Sequence, residues 1–192
     1  MSELDSQNGK KVVMLGQCQM HVNPEDGGLI TLYALKPEQK LLRISVNDLV
    51  EAAEQAFPSM DLREIEIEDN YSESSVLGTV CVMIAPNSDA IRSNAEPCDG
   101  VQTHDQDPEK IEYVPFCFLQ FSNLGDLLAQ ARKICENYEI ELDDVFLQAS
   151  EEEQDIPGEE GEKPTKGKFV DIDIIVPKAK LESSGVIDRS RE

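Results

Sequence analysis

RISVNDLVEAAEQAF at residues 43–57, followed by EIEIED at 64–69, sets the fold class. Ser45 or Asn47 supplies a helix N-cap, and Asp48 and Glu51 suit the positive end of the helix dipole. Val46, Leu49, Val50, Ala53 and Phe57 recur at helical spacing, and Pro58 stops the helix. EIEIED then alternates strictly, with Ile65 and Ile67 on one face of a strand and Glu64, Glu66 and Glu68 on the other. The order is helix, then half-exposed strand.

The same order returns downstream. LQFSNLGDLLAQARKI (119–134) carries Asn123 as N-cap with Asp126 three residues on. Its apolar stripe is Leu124, Leu127, Leu128, Ala131, Ile134, Cys135 and Tyr138. EIELDDVFL (139–147) reads as a second acidic strand, with Glu139, Glu141 and Asp143 turned outward and Asp144 beside them. Each segment also has a strand before it, at 29–35 and 76–85. A duplicated β-β-α-β unit accounts for this.

Working outward, residues 12–22 begin apolar and then alternate, NPEDGG (23–28) is turn chemistry, and 29–35 and 40–46 are strands. VLGTVCVMIA (76–85) is apolar enough for a central strand, and residues 86–112 form a long loop. YVPFCFLQF (113–121) is a strand that Pro115 confines to an edge or a bulge. The expected organisation is a disordered N-terminus at 1–10, one domain over 11–148 and an acidic linker at 149–168. A C-terminal strand at 169–177 and a disordered tail at 178–192 follow. Val170, Ile172, Ile174 and Val176 share one face of that last strand, which can pair in cis or swap between subunits.

The resulting fold class is α+β, a two-layer mixed and mainly antiparallel sheet with two helices on one face. A five-stranded barrel of the oligonucleotide-binding type plus an extra helix is the alternative.

Charge narrows the function. The chain has 192 residues and a formal net charge of −22. Residues 1–162 hold 10 Lys+Arg against 34 Asp+Glu, whereas residues 163–192 are slightly basic at +2. Such a surface repels nucleic acid and anionic lipid, and no Lys/Arg cluster precedes residue 163. Five cysteines, no CxxC and a polar N-terminal stretch predict a cytoplasmic or nuclear protein that is not secreted.

Catalytic patterns are missing. His21 and His104 are the only histidines, and neither sits in a Cys/His or Ser/His motif. Cys98, His104, Asp105 and Asp107 crowd one loop without the spacing of a zinc or calcium site, so no metal and no cofactor is expected. The glycines at 27–28 belong to a turn, not to a phosphate cradle.

The expectation is a non-enzymatic acidic binding protein: an adaptor, inhibitor or chaperone, in its sharpest form a DNA mimic. Glu64, Glu66, Glu68, Glu139, Glu141, Asp143 and Asp144 would engage a basic protein surface, such as that of a nucleic-acid-binding protein. Two alternatives remain. A nucleic-acid-binding accessory protein needs exposed aromatics such as Tyr33, Phe116 and Phe118. A structural component would oligomerise through its terminal strand.

Overall fold

In the computed structural model, residues 5–7, 10–15, 18–23, 29–34, 41–71, 80–86, 111–116, 121–158 and 163–185 are described. Ten strands and three helices lie among these residues. The strands are β1 (Asp5–Gln7), β2 (Lys10–Leu15), β3 (Cys18–Asn23), β4 (Leu29–Ala34), β5 (Leu41–Ser45), β6 (Glu66–Tyr71), β7 (Val80–Ala85), β8 (Tyr113–Phe116), β9 (Phe146–Ile156) and β10 (Thr165–Pro177). The helices are α1 (Val46–Ala56), α2 (Leu124–Tyr138) and α3 (Lys178–Ser183). The α+β class holds.

The strands divide between two sheets, of order β1-β2-β3-β4-β7-β6 and β5-β9-β10-β8. Every strand pair among the described residues is antiparallel, where a mixed single sheet was expected. Neither sheet closes on itself among those residues, so the barrel alternative is set aside. The step that sequence order does not reveal is β5, which leaves its chain neighbour β4 to pair with β9, about a hundred residues away.

Each sheet offers one apolar row to a common core. Ile30, Ile84 and Ile67 lie opposite one another across β4, β7 and β6. Ile44, Leu147, Ile174 and Phe116 do the same across the second sheet, and all seven residues are buried. The helices close this core with the stripes their spacing predicts: Val46, Leu49, Val50 and Ala53 from α1, and Leu124, Leu127, Leu128, Ala131 and Ile134 from α2. Ser45 and Asn123 cap the two helices by accepting from the backbone N–H of Asp48 and Asp126. Pro115 sits on β8, an edge strand, where a residue without an N–H costs least.

Four expectations change. Residues 139–145 are not a strand. Glu139 ends α2 in the left-handed region at φ 55°, and Leu142–Asp144 form a 3₁₀ turn before β9 begins. The stretch expected as linker carries β9 to Ile156, and β10 already starts at Thr165. β10 pairs in cis with β9 over eleven consecutive positions. Its apolar residues are also not confined to one face, because Ile175 is buried along with Ile174 and Val176. Finally, Asp5–Gln7 form a strand and Lys178–Ser183 a helix inside stretches expected to be disordered. Most of loop 86–112, with Cys98, His104, Asp105 and Asp107, lies outside the described residues, as do Phe118, residues 159–162 and the end of the tail.

The left-handed turn at Glu139 is a position where glycine is the usual choice, because a Cβ is penalised there. Glu139→Gly is therefore expected to raise stability by about 0.5–1 kcal/mol, read from the urea midpoint. An unchanged or lowered midpoint would count against the left-handed helix end.

Candidate functional site

The expected acidic residues fall into two groups, each beside a 3₁₀ turn. In the first, Leu62–Glu64 is a 3₁₀ turn capped by Asp61, whose side chain accepts from Arg63 N–H at 2.9 Å. Glu64 is exposed there, and Glu66 and Glu68 follow half-buried on β6. In the second, Glu139 and Glu141 precede the 3₁₀ turn Leu142–Asp144. Glu139, Glu141 and Asp143 are exposed, and Asp144 is half-buried.

Each turn rests against the N-terminus of the helix from the other half. Leu124 N donates to Ile65 O at 2.9 Å, and Val46 N donates to Val145 O at 2.8 Å. The residue that follows each 3₁₀ turn thus accepts from the first residue of the opposite helix. Helix N-termini carry partial positive charge, which gives the acidic turns a structural reason to sit there.

Crowding of like charge follows. Burial pushes the Asp48 carboxyl above its usual range, and the charges of Asp143 and Glu51 add to the rise. Ionising Asp48 is then harder in the folded chain than in the unfolded one. Below the unfolded-state pKa the carboxyl is protonated in both states and there is no penalty. As pH rises through the window up to the raised folded value, stability falls, and above it the loss is constant. Asp48→Asn is accordingly expected to raise the midpoint of thermal unfolding at neutral pH, with the difference vanishing in acid. An equal gain at both pH values would remove the charge explanation.

The two groups belong to different sheets. Glu66 and Glu68 lie on an edge strand of the six-stranded sheet, whereas Glu139–Asp144 precede a central strand of the four-stranded one. Asp144 is also engaged internally, 3.0 Å from Lys180 of α3, whose Leu181 is buried in the core. It is less available to a partner than its neighbours.

One feature was not singled out from sequence. On the outer face of the four-stranded sheet, the Arg43 guanidinium lies 4.1 Å above the Tyr113 ring and its Nε donates to Gln148 Oε1 at 2.7 Å. Tyr113 meets Phe146 edge-on at 5.8 Å. These side chains start from both edges of the sheet and from β9 between them, and Ile175, in register with Phe146 and Pro115, is buried as well. Charge alone offers Lys163, Lys166 and Lys168 as partners for the acidic run 151–162, and the β9–β10 hairpin brings that run alongside the lysine-bearing strand. Its acidic strand and its lysines lie in register: Lys166 opposite Asp155 and Lys168 opposite Glu153.

Phe116 is buried and packs edge-on against Tyr138 at 5.4 Å, so it offers no stacking face to a base. Cys135 is half-buried, and burial raises its thiol pKa, the direction of an unreactive thiol. Among the described residues no group of three His, Cys, Asp or Glu side chains is placed to hold a metal ion, and no helix is long and apolar enough to cross a membrane. Comparison with protein-family models, with curated proteins and with solved structures gave no match.

Proposed function

We propose that this chain is a non-enzymatic acidic binding protein that docks on a basic protein surface. One observation carries the proposal. A net charge of −22 comes with exposed carboxylates at Glu64, Glu139, Glu141 and Asp143, placed on or beside two short turns. Ordered turns fix the spacing of charge, and fixed spacing favours a particular cationic surface over counterions in general. A competitor of nucleic acid for such a surface, or a chaperone that shields it, fits the same arrangement.

The halves of the chain are further inferred to be copies of one strand–helix–turn–strand unit. Matching N-caps, matching 3₁₀ turns and the reciprocal bonds from Leu124 to Ile65 and from Val46 to Val145 support this. Duplication would give the protein two related acidic turns, and thus two contact points for one partner.

The test compares the wild type with Glu64→Lys/Glu139→Lys/Glu141→Lys in partner capture at low and high salt. Capture is expected at low salt, with loss both on raising salt and in the triple variant. Capture indifferent to salt and to charge reversal would refute the proposal.

A further inference from the structure

Two stretches of the chain correspond residue by residue. Residues 59–65 (SMDLREI) lead from α1 to the carbonyl that accepts from Leu124 N, and residues 139–145 (EIELDDV) lead from α2 to the carbonyl that accepts from Val46 N. Each opens on a left-handed residue, Ser59 at φ 75° and Glu139 at φ 55°, the two non-glycine residues of positive φ among those described. An apolar residue follows, Met60 or Ile140, and then the acid that precedes the 3₁₀ turn, Asp61 or Glu141. At the apolar position the stretches part. Ile140 is half-buried and packs against the core, whereas Met60 is 39% exposed.

A lone exposed apolar side chain is ordinary on a protein surface. Met60 is set apart by how its backbone is held. Phe57 before it and Ile65 after it are buried in the core. Met60 N donates to Phe57 O at 3.2 Å, and Asp61 on its other side accepts from Arg63 N at 2.9 Å. Pro58 fixes its own φ, and Ser59 takes a conformation that a residue with a Cβ adopts only at a cost. Met60 is thus presented from a fixed turn, and little ordering remains to be done when something covers it.

We infer that Met60 is the apolar anchor of the docking surface, and that the partner covers it with an amphipathic basic segment, an apolar residue set among Lys or Arg. The neighbours of Met60 select that occupant. Exposed carboxylates at Asp61 and Glu64 follow it within four residues, and Arg63 between them has its Cγ against Gly125 of α2. A purely cationic segment would leave Met60 in water, and a purely apolar one would desolvate the carboxylates without pairing them. The unbranched thioether of Met60 adapts to an irregular apolar surface. The first turn is also the more open of the two. Asp144, which stands where Glu64 stands in the first turn, is engaged by Lys180 at 3.0 Å, whereas Glu64 is exposed.

The inference rests on the acidic docking role proposed above, and it adds an apolar contact to it. The test uses the full chain and two fluorescent peptides of equal charge, titrated by anisotropy at low salt. One is built of Lys and Leu patterned as an amphipathic helix, and the other has Ser in place of each Leu. The Leu peptide is expected to bind the wild type about tenfold more tightly than the Ser peptide. Met60→Ser should remove most of that advantage and leave the Ser peptide unaffected, and Met60→Leu should retain it. Ile111→Ser, which removes another exposed apolar side chain, should change neither. The urea midpoint of Met60→Ser should match that of the wild type. Equal binding of the two peptides, or equal losses in Met60→Ser and Ile111→Ser, would overturn the anchor while leaving charge-driven docking intact. A lowered midpoint in Met60→Ser would overturn it too, because the side chain would then be packed within the fold. Binding of neither peptide would overturn the acidic docking role, and the anchor with it.

Discussion

Leu147→Ala is expected to destabilise the fold by about 2–5 kcal/mol, measured as a lowered urea midpoint with an unchanged slope. Leu147 is fully buried at the centre of the second sheet, directly between Ile44 on β5 and Ile174 on β10. It belongs to the core cluster that α1 and α2 close. Truncation removes transfer free energy and leaves a cavity. The neighbours are poorly placed to fill it, since strands on both sides hold the backbone in register. Ile156, on the same strand nine residues on, is the internal control. It lies at the tip of the hairpin, 42% exposed, and Ile156→Ala is expected to cost less than about 0.5 kcal/mol. Comparable losses at the two sites would mean that β9 is not anchored in the core by its first half.

That contrast along one strand explains what was legible in the sequence. The helices were legible because their evidence is local. Capping residues, the 3.6-residue stripe and stop signals all lie within fifteen residues, and α1 and α2 bury the residues their spacing marks. Stretch 139–145 misled because Ile140 and Leu142 alternate with acids as in a strand. Both are partly buried against the core, but they reach it from a left-handed helix end and a 3₁₀ turn. Period two shows which residues turn inward, not the backbone that turns them. It also aligned EIEIED with EIELDD, whereas Ile65 and Val145 are the residues that hold the same hydrogen-bonding position.

The linker misled for the opposite reason. Read alone, SEEEQD is too acidic to form a strand, and Lys163, Lys166 and Lys168 after it offer counter-charges for the acidic run 151–162 but no register. The register sets Lys166 opposite Asp155 and Lys168 opposite Glu153, so backbone positions of opposite charge type face each other across the ladder. Pairing of this kind is non-local and does not appear in either segment by itself. The candidate site shared that fate. Its carboxylates were visible as residue types, but which sheet each group joins depends on β5 crossing to β9.

Gly125→Ala is expected to destabilise by about 1–3 kcal/mol, against the trend for such a change. Alanine inside a helix is normally better than glycine by about 1 kcal/mol, and Gly125 is the second residue of α2. Here a Cβ would collide with Arg63 Cγ and lie 3.0 Å from Arg63 N and 3.2 Å from Arg63 Cα. The obstacle is backbone, and it is pinned. Arg63 N is bonded to Asp61 Oδ1, Glu64 N to Asp61 O, and Ile65 O holds Leu124 N at 2.9 Å. Moving the turn away would break the bond that docks the first acidic turn on α2. Arg63→Ala in the same chain removes the Cγ collision but not the backbone contacts, so the double variant should recover part of the loss, a coupling visible in a double-mutant cycle. If Gly125→Ala instead stabilises the protein, the turn does not approach α2 so closely. Glu64 and Glu66 would then lack the fixed placement that distinguishes a docking surface from a merely acidic one.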